Sequence, residues 1–294
     1  MKNTFGCLIT AMATPFDHSL NVDYDKVAEL VELLLEKGSD SLVVTGTTGE
    51  SPTLSDEEKI NIYKTVVNTV RGRAKIIAGT GGNSTQKSVE MSRRAEEIGV
   101  DGLMLVAPYY NKPPQEGLYH HFKNIADAVS LPIMLYNVPG RTVINLSVET
   151  TLKLAEIDNI VSIKEASGNL EQITYICEAA PDGFDVYSGD DSMTLPILSV
   201  GGIGVVSVAS HLVGPEIKKM ITSFLDGNIT ESRSIHQELM PLFKALFMTT
   251  SPIPLKAALQ MTGMEVGNPR LPLMPLPEIM KIELKNVLQK YRMV

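Results

Sequence analysis

The stretch Ile160-Val161-Ser162-Ile163-Lys164, followed by Glu165-Ala166-Ser167-Gly168 and then by residues 170–178, decides the fold. It reads as a short β-branched strand, a polar tip and a helix. A strand this apolar suits a parallel sheet covered by helices on its faces. The same unit recurs on both sides. Upstream, strand and helix pairs fall at 7–13 and 23–37, 41–45 and 55–70, 75–78 and 84–98, 102–106 and 116–128, and 132–136 and 147–155. Downstream they fall at 185–188 and 193–200, and at 204–208 and 215–225. Local signals support the boundaries. Asp23 is a plausible N-cap ahead of Val27, Leu30, Val31 and Leu34, Gly38 closes that helix, and Ser55 with Glu58 forms a capping box.

Eight strand–helix units with no GxGxxG after the first strand predict an α/β fold, a closed (β/α)8 TIM barrel, with an open Rossmann sheet as the alternative. Strand signals stop near Gly227, and residues 232–247, 254–261 and 278–291 read as helices. The expected organisation is a catalytic barrel over 1–226 and a C-terminal helical extension over 227–294 that packs on the barrel.

Composition narrows the function. The chain has 294 residues and a net charge of −8, with 44% hydrophobic and 20% charged residues, which excludes disorder and disulfide scaffolds. The acidic balance argues against a general nucleic-acid or anionic-membrane binder. No apolar run approaches a membrane span. Residues 5–13 are better read as a first strand than as a leader, because the only charge ahead of them is Lys2 and Gly6 and Thr10 break the run. Cys7 and Cys177 form no CxxC and are expected to stay reduced, as in a cytoplasmic protein. No HExxH or Cys/His cluster is present, so no metal site is expected. His120 and His121 are expected at the surface.

A barrel of this kind carries its chemistry where strands end. Lys164 follows an apolar strand; a lysine stem held among apolar side chains can supply a neutral amine that attacks a carbonyl to give a Schiff base. A strand-end lysine reaching solvent is the alternative. Gly46-Thr47-Thr48-Gly49 offers two successive N–H groups and two hydroxyls for a carboxylate or phosphate, or else a plain β–α turn. Tyr136 ends strand five and Tyr110 lies in a loop; each phenol could move a proton or simply pack. Arg141 is a fixed cation suited to bidentate carboxylate binding, or a surface residue.

Together, Gly46-Thr47-Thr48-Gly49-Glu50, Tyr109-Tyr110-Asn111, Tyr136-Asn137-Val138-Pro139-Gly140-Arg141-Thr142, Ile163-Lys164-Glu165-Ala166-Ser167-Gly168 and Gly189-Asp190-Asp191 make the chain resemble the dihydrodipicolinate synthase family over nearly its full length. That family is related to N-acetylneuraminate lyase and forms Schiff bases on a barrel lysine. The resemblance implies a lyase of lysine and diaminopimelate biosynthesis, forming 4-hydroxy-tetrahydrodipicolinate, that condenses pyruvate with L-aspartate 4-semialdehyde and needs no cofactor. Lys164 would form the imine. Thr47, Tyr136 and Tyr110 would relay protons, with Tyr110 reaching a neighbouring subunit's site. Thr47 and Thr48 would hold the pyruvate carboxylate, Gly189 and Val206 would offer carbonyls near Lys164, and Arg141 would bind the semialdehyde carboxylate. The assembly would be a homotetramer, a dimer of dimers, or a homodimer. Lysine-inhibited members bind lysine around the positions of Ser51, Asn83 and Tyr109, with an acid where Lys87 stands and histidines where Asp56 and Lys59 stand. Feedback by lysine is therefore expected to be weak or absent. A sugar-acid aldolase sharing Lys164 and Tyr136, and a catalytically dead binding barrel, are the other readings.

Overall fold

Strands buried on both faces need helices on one side and a filled interior on the other, and the chain supplies both. The computed structural model describes residues 4–294; Lys2, weighed against a leader above, lies outside them. In chain order the elements are β1 (Leu8–Ala11), α1 (Tyr24–Glu36), β2 (Ser41–Val44), α2 (Asp56–Val70), β3 (Lys75–Gly79), α3 (Thr85–Ile98), β4 (Gly102–Val106) and α4 (Gln115–Ala126). There follow β5 (Ile133–Asn137), α5 (Pro139–Thr142), α6 (Val148–Ala155), β6 (Ile160–Glu165), α7 (Leu170–Ala179), β7 (Asp185–Ser188), α8 (Thr194–Ser199), β8 (Gly204–Ser207) and α9 (Ser210–Leu225). The last three are α10 (Ile229–Leu246), α11 (Ile253–Met261) and α12 (Glu278–Lys290).

The strands form a closed, all-parallel barrel in sequence order, with β1 also pairing β8 through Ile9 and Val206. The expected TIM barrel is present. Strand alternation sorts the apolar residues into two sets. Ile9, Val43, Ile77, Met104, Met134, Tyr136, Tyr187 and Val206 cluster inside the barrel with Phe5. Leu8, Leu42, Val44, Leu103, Leu105, Leu135 and Ile163 cluster outward with the helices. Burying each such aliphatic side chain contributes about 1.5–3 kcal/mol, so both layers hold the closure.

Local chemistry sets the ends of the helices. Asp23 caps α1 by accepting from Lys26 N–H at 3.0 Å. The Ser55–Glu58 box opens α2. The span α9 holds two helices across a kink at Val213 (φ −124°, ψ 37°): a short turn that begins at Ser210, then the longer helix with Pro215 in its first turn, where the sequence predicts its start. Helix α10 packs against α9, α10–α12 pack against one another, and Leu239, Leu242, Leu255, Leu259 and Leu284 join the core between barrel and helices.

The histidine expectation is half wrong. His120 is exposed, but His121 is buried on α4 beside Leu118, Phe122 and Ile125. Its Nδ1 lies 2.8 Å from the Thr85 hydroxyl, and burial pushes its pKa down to about 4. Cys7 and Cys177 are free thiols.

Candidate active site

The register of β5 and β6 creates the site's centre. Tyr136 and Lys164 are direct partners across the two strands, as are Asn137 and Glu165 one step further on. Alternation then turns the first pair into the barrel and the second pair toward the helices. Lys164 is 5% exposed, and its Nζ sits 4.2 Å from the centre of the Tyr136 ring. Among the described residues no carboxylate lies within ion-pair distance of that amine.

The outward pair is anchored by a buried polar network that sequence reasoning missed. Glu165 accepts from Asn137 Nδ2 at 3.1 Å, from Gln172 Nε2 at 3.0 Å and from Ser167 N–H at 2.7 Å. Asn137 Oδ1 accepts from Leu146 N–H at 3.0 Å. Burial raises the Glu165 pKa, and these donors pull against it. The network ties the ends of β5 and β6 together, so Tyr136 and Lys164 cannot drift apart independently. The polar run Asn137, Glu165 and Gln172 was visible in the sequence, but its pairing across elements was not.

Space around Lys164 is kept by Gly189. A Cβ there would lie 3.2 Å from Lys164 Cε and 2.7 Å from Ala166 Cβ. The Gly189 N–H donates to the Glu165 carbonyl at 2.7 Å, which pins β7 against β6. Val206 belongs to the interior cluster and stands in register with Ile9.

A cavity of about 460 Å³ opens at the strand ends. Thr47, Tyr136 and Arg141 line it, as does Tyr109; Tyr110, Thr48, Lys164, Gly189 and Val206 do not. Among the described residues the hydroxyls of Thr47, Thr48 and Tyr136 bond to no protein group, although nearby Thr45 bonds Tyr63 Oη at 2.7 Å and Thr14 bonds the Gly49 carbonyl at 2.7 Å. Uncommitted donors grouped at a barrel mouth are what a carboxylate-bearing substrate requires. Arg141 rides on the short α5, and its Nη2 donates to the Ser251 carbonyl at 3.3 Å. The cavity continues past Ser51 and Asn83 to Lys59 and Lys87.

Tyr110 stands apart from this group. It is 88% exposed and has a left-handed backbone at φ +73°. Among the described residues no group of three His, Cys, Asp or Glu side chains could hold a metal ion, and no helix is long and apolar enough to cross a membrane.

Comparison with known proteins places this architecture. The profile of the Dihydrodipicolinate synthetase family matches residues 4–291. The 4-hydroxy-tetrahydrodipicolinate synthase of Bacillus subtilis (strain 168) is 55% identical over 97% of this chain and 99% of its own. The enzyme of the same name from Desulforudis audaxviator is 54% identical over 100% of both chains. The crystal structure of the Cyanidioschyzon merolae enzyme with lysine bound superposes with a TM-score of 0.98 at 48% identity, covering 100% of both chains. A family-wide match, full-length identity above half and a shared closed barrel agree: the chain belongs to the dihydrodipicolinate synthetase family, whose members are lyases.

Proposed function

We propose that this chain condenses pyruvate with L-aspartate 4-semialdehyde to form 4-hydroxy-tetrahydrodipicolinate, in the diaminopimelate route to lysine, with Lys164 as the nucleophile. The carrying observation is the Lys164–Tyr136 pair: an amine without a counter-carboxylate, set beside a phenol at the strand ends. The amine attacks the pyruvate keto carbon and water leaves, giving an imine. Tyr136 serves as the proton carrier, with Thr47 and Tyr110 completing the relay. Loss of a methyl proton converts the iminium to an enamine, which attacks the aldehyde carbon. The semialdehyde's own amine then displaces Lys164 and closes the ring. The iminium formed on Lys164 is the electron sink, so no cofactor enters these steps.

Both substrates are carboxylates approaching a protein of net charge −8, so local donors must offset the repulsion. Thr47 and Thr48 bind the pyruvate carboxylate with their free hydroxyls and N–H groups. Arg141, lining the cavity, binds the semialdehyde carboxylate. Gly189 and Val206 contribute carbonyls beside Lys164. Tyr110 is too exposed for a relay within one subunit, which supports a homodimer as the least active unit and a homotetramer of two such dimers as the assembly. The reading includes a cytoplasmic enzyme divided into a barrel over 1–226 and an extension over 227–294.

The test is the initial rate of pyruvate consumption with the semialdehyde, beside a sugar-aldehyde control. Turnover with the semialdehyde alone supports the proposal. Turnover of the sugar aldehyde alone overturns the substrate assignment.

A further inference from the structure

The loop after β2 is bracketed by two residues in left-handed conformation, Thr45 at φ +54° and Glu50 at φ +56°. Neither is glycine, so each costs of order 1–3 kcal/mol and persists only where its surroundings over-determine it. Thr45 is held by its bond to Tyr63 Oη. Glu50 is held from the far end of the chain. Its carboxylate is 1% exposed and lies 2.7 Å from Lys256 Nζ on α11, which is equally buried. The backbone N–H of Arg270 donates to its other oxygen at 2.9 Å. Lys256 and Arg270 both lie against the Phe16 ring, at 4.0 and 4.4 Å, and the Arg270 guanidinium forks onto Glu58 at 2.6 and 3.1 Å. Between the two strained residues stand Thr47 and Thr48.

A buried ion pair is a costly way to gain stability, since well-packed apolar side chains of similar volume often do as well. What it supplies is a fixed geometry, because either charge alone would be stranded out of water. We propose that Glu50 and Lys256 are positioning residues that set the Thr47–Thr48 loop for the pyruvate carboxylate, which makes α11 part of the catalytic apparatus. The proposal rests on the reading of those threonines given above. Arg141 bonds the Ser251 carbonyl, just ahead of α11, and touches neither Glu50 nor Lys256, so removing the two charges while the helix stays in place acts on pyruvate rather than on the semialdehyde.

The decisive variant is Glu50→Gln/Lys256→Met, which removes both charges and keeps the volumes. It should melt within a few degrees of the parent, raise KM for pyruvate by roughly tenfold or more, and leave KM for the semialdehyde within about twofold. Glu50→Gln alone, which keeps the side chain's shape, should move the same constant in the same direction. An unchanged pyruvate KM in either folded variant, with or without a lower kcat, overturns the proposal. Thr48→Val separates it from the reading beneath it. If Thr48→Val raises the pyruvate KM and the charge variants do not, the positioning role alone fails. If Thr48→Val leaves it unchanged, the carboxylate reading fails and takes the proposal with it.

Discussion

Replacing Gly189 by alanine tests how tightly Lys164, the proposed nucleophile, is held. The added Cβ would sit 2.7 Å from Ala166 Cβ, 3.1 Å from the Glu165 carbonyl and 3.2 Å from Lys164 Cε. Ordinary contact begins at 3.4 Å, so roughly 0.7 Å must be found against Ala166. The Glu165 carbonyl cannot give easily, because the Gly189 N–H is bonded to it at 2.7 Å. The worst overlap is against Ala166, directly after β6, so relieving it moves the ends of β6 and β7 apart and carries Lys164, on β6, with them. Overpacking of this kind costs about 1–3 kcal/mol of stability. A misplacement approaching 1 Å can cost up to ~100-fold in rate, so kcat/KM should fall by roughly 10–100-fold, or about 1.4–2.7 kcal/mol of barrier. The assay is steady-state condensation beside the rate of borohydride-trapped imine formation, with a thermal melt for stability. Gly140→Ala is the control, since nothing lies within 4 Å of its Cβ. Wild-type trapping and turnover in Gly189→Ala would refute the packing argument.

Three other outcomes follow from named groups. Arg141→Ala should raise KM for the semialdehyde and slow turnover while sparing pyruvate imine formation; unchanged steady-state kinetics would remove Arg141 from the site. Lysine should inhibit weakly or not at all, because Lys59 and Lys87 line the cavity and repel an ammonium-bearing effector, whereas half-maximal inhibition below a millimolar would contradict this. Burial holds His121 at a pKa of about 4, below its ordinary value, so the unfolded chain takes up the proton first. Its contribution to stability is therefore complete above a pH of about 6.5 and is lost as pH falls toward about 4. The melting temperature of His121→Leu should decline less than the parent's between about pH 7 and about pH 5, and parallel declines would show that His121 is not responsible.

The barrel was legible because its strands are buried on both faces and so read as unbroken apolar runs, each closed by a polar tip. Lys164 and Tyr136 stood out for the same reason: a polar group ends an apolar strand. What stayed hidden lacks local periodicity or depends on distant partners. Helix α5 is one turn, Pro139–Thr142, too short for an apolar repeat to mark it. Pro215 marked the longer part of α9 correctly, and what stayed hidden is the short turn from Ser210 ahead of the kink at Val213, too brief for an apolar repeat. His121 was readable and was misread, because it follows Leu118 by three residues and precedes Ile125 by four, the spacing of one buried face. Glu50 and Arg270 are 220 residues apart, and no pattern in either segment announces the contact. A lone lysine at 256 within an apolar helix was the one available hint.

The most direct measurement is borohydride reduction in the presence of pyruvate, followed by peptide mass spectrometry. One pyruvyl adduct should appear on Lys164 and vanish in Lys164→Ala. An adduct on another lysine, such as the still more buried Lys256, or no adduct at all, would contradict the assignment of Lys164 as the nucleophile.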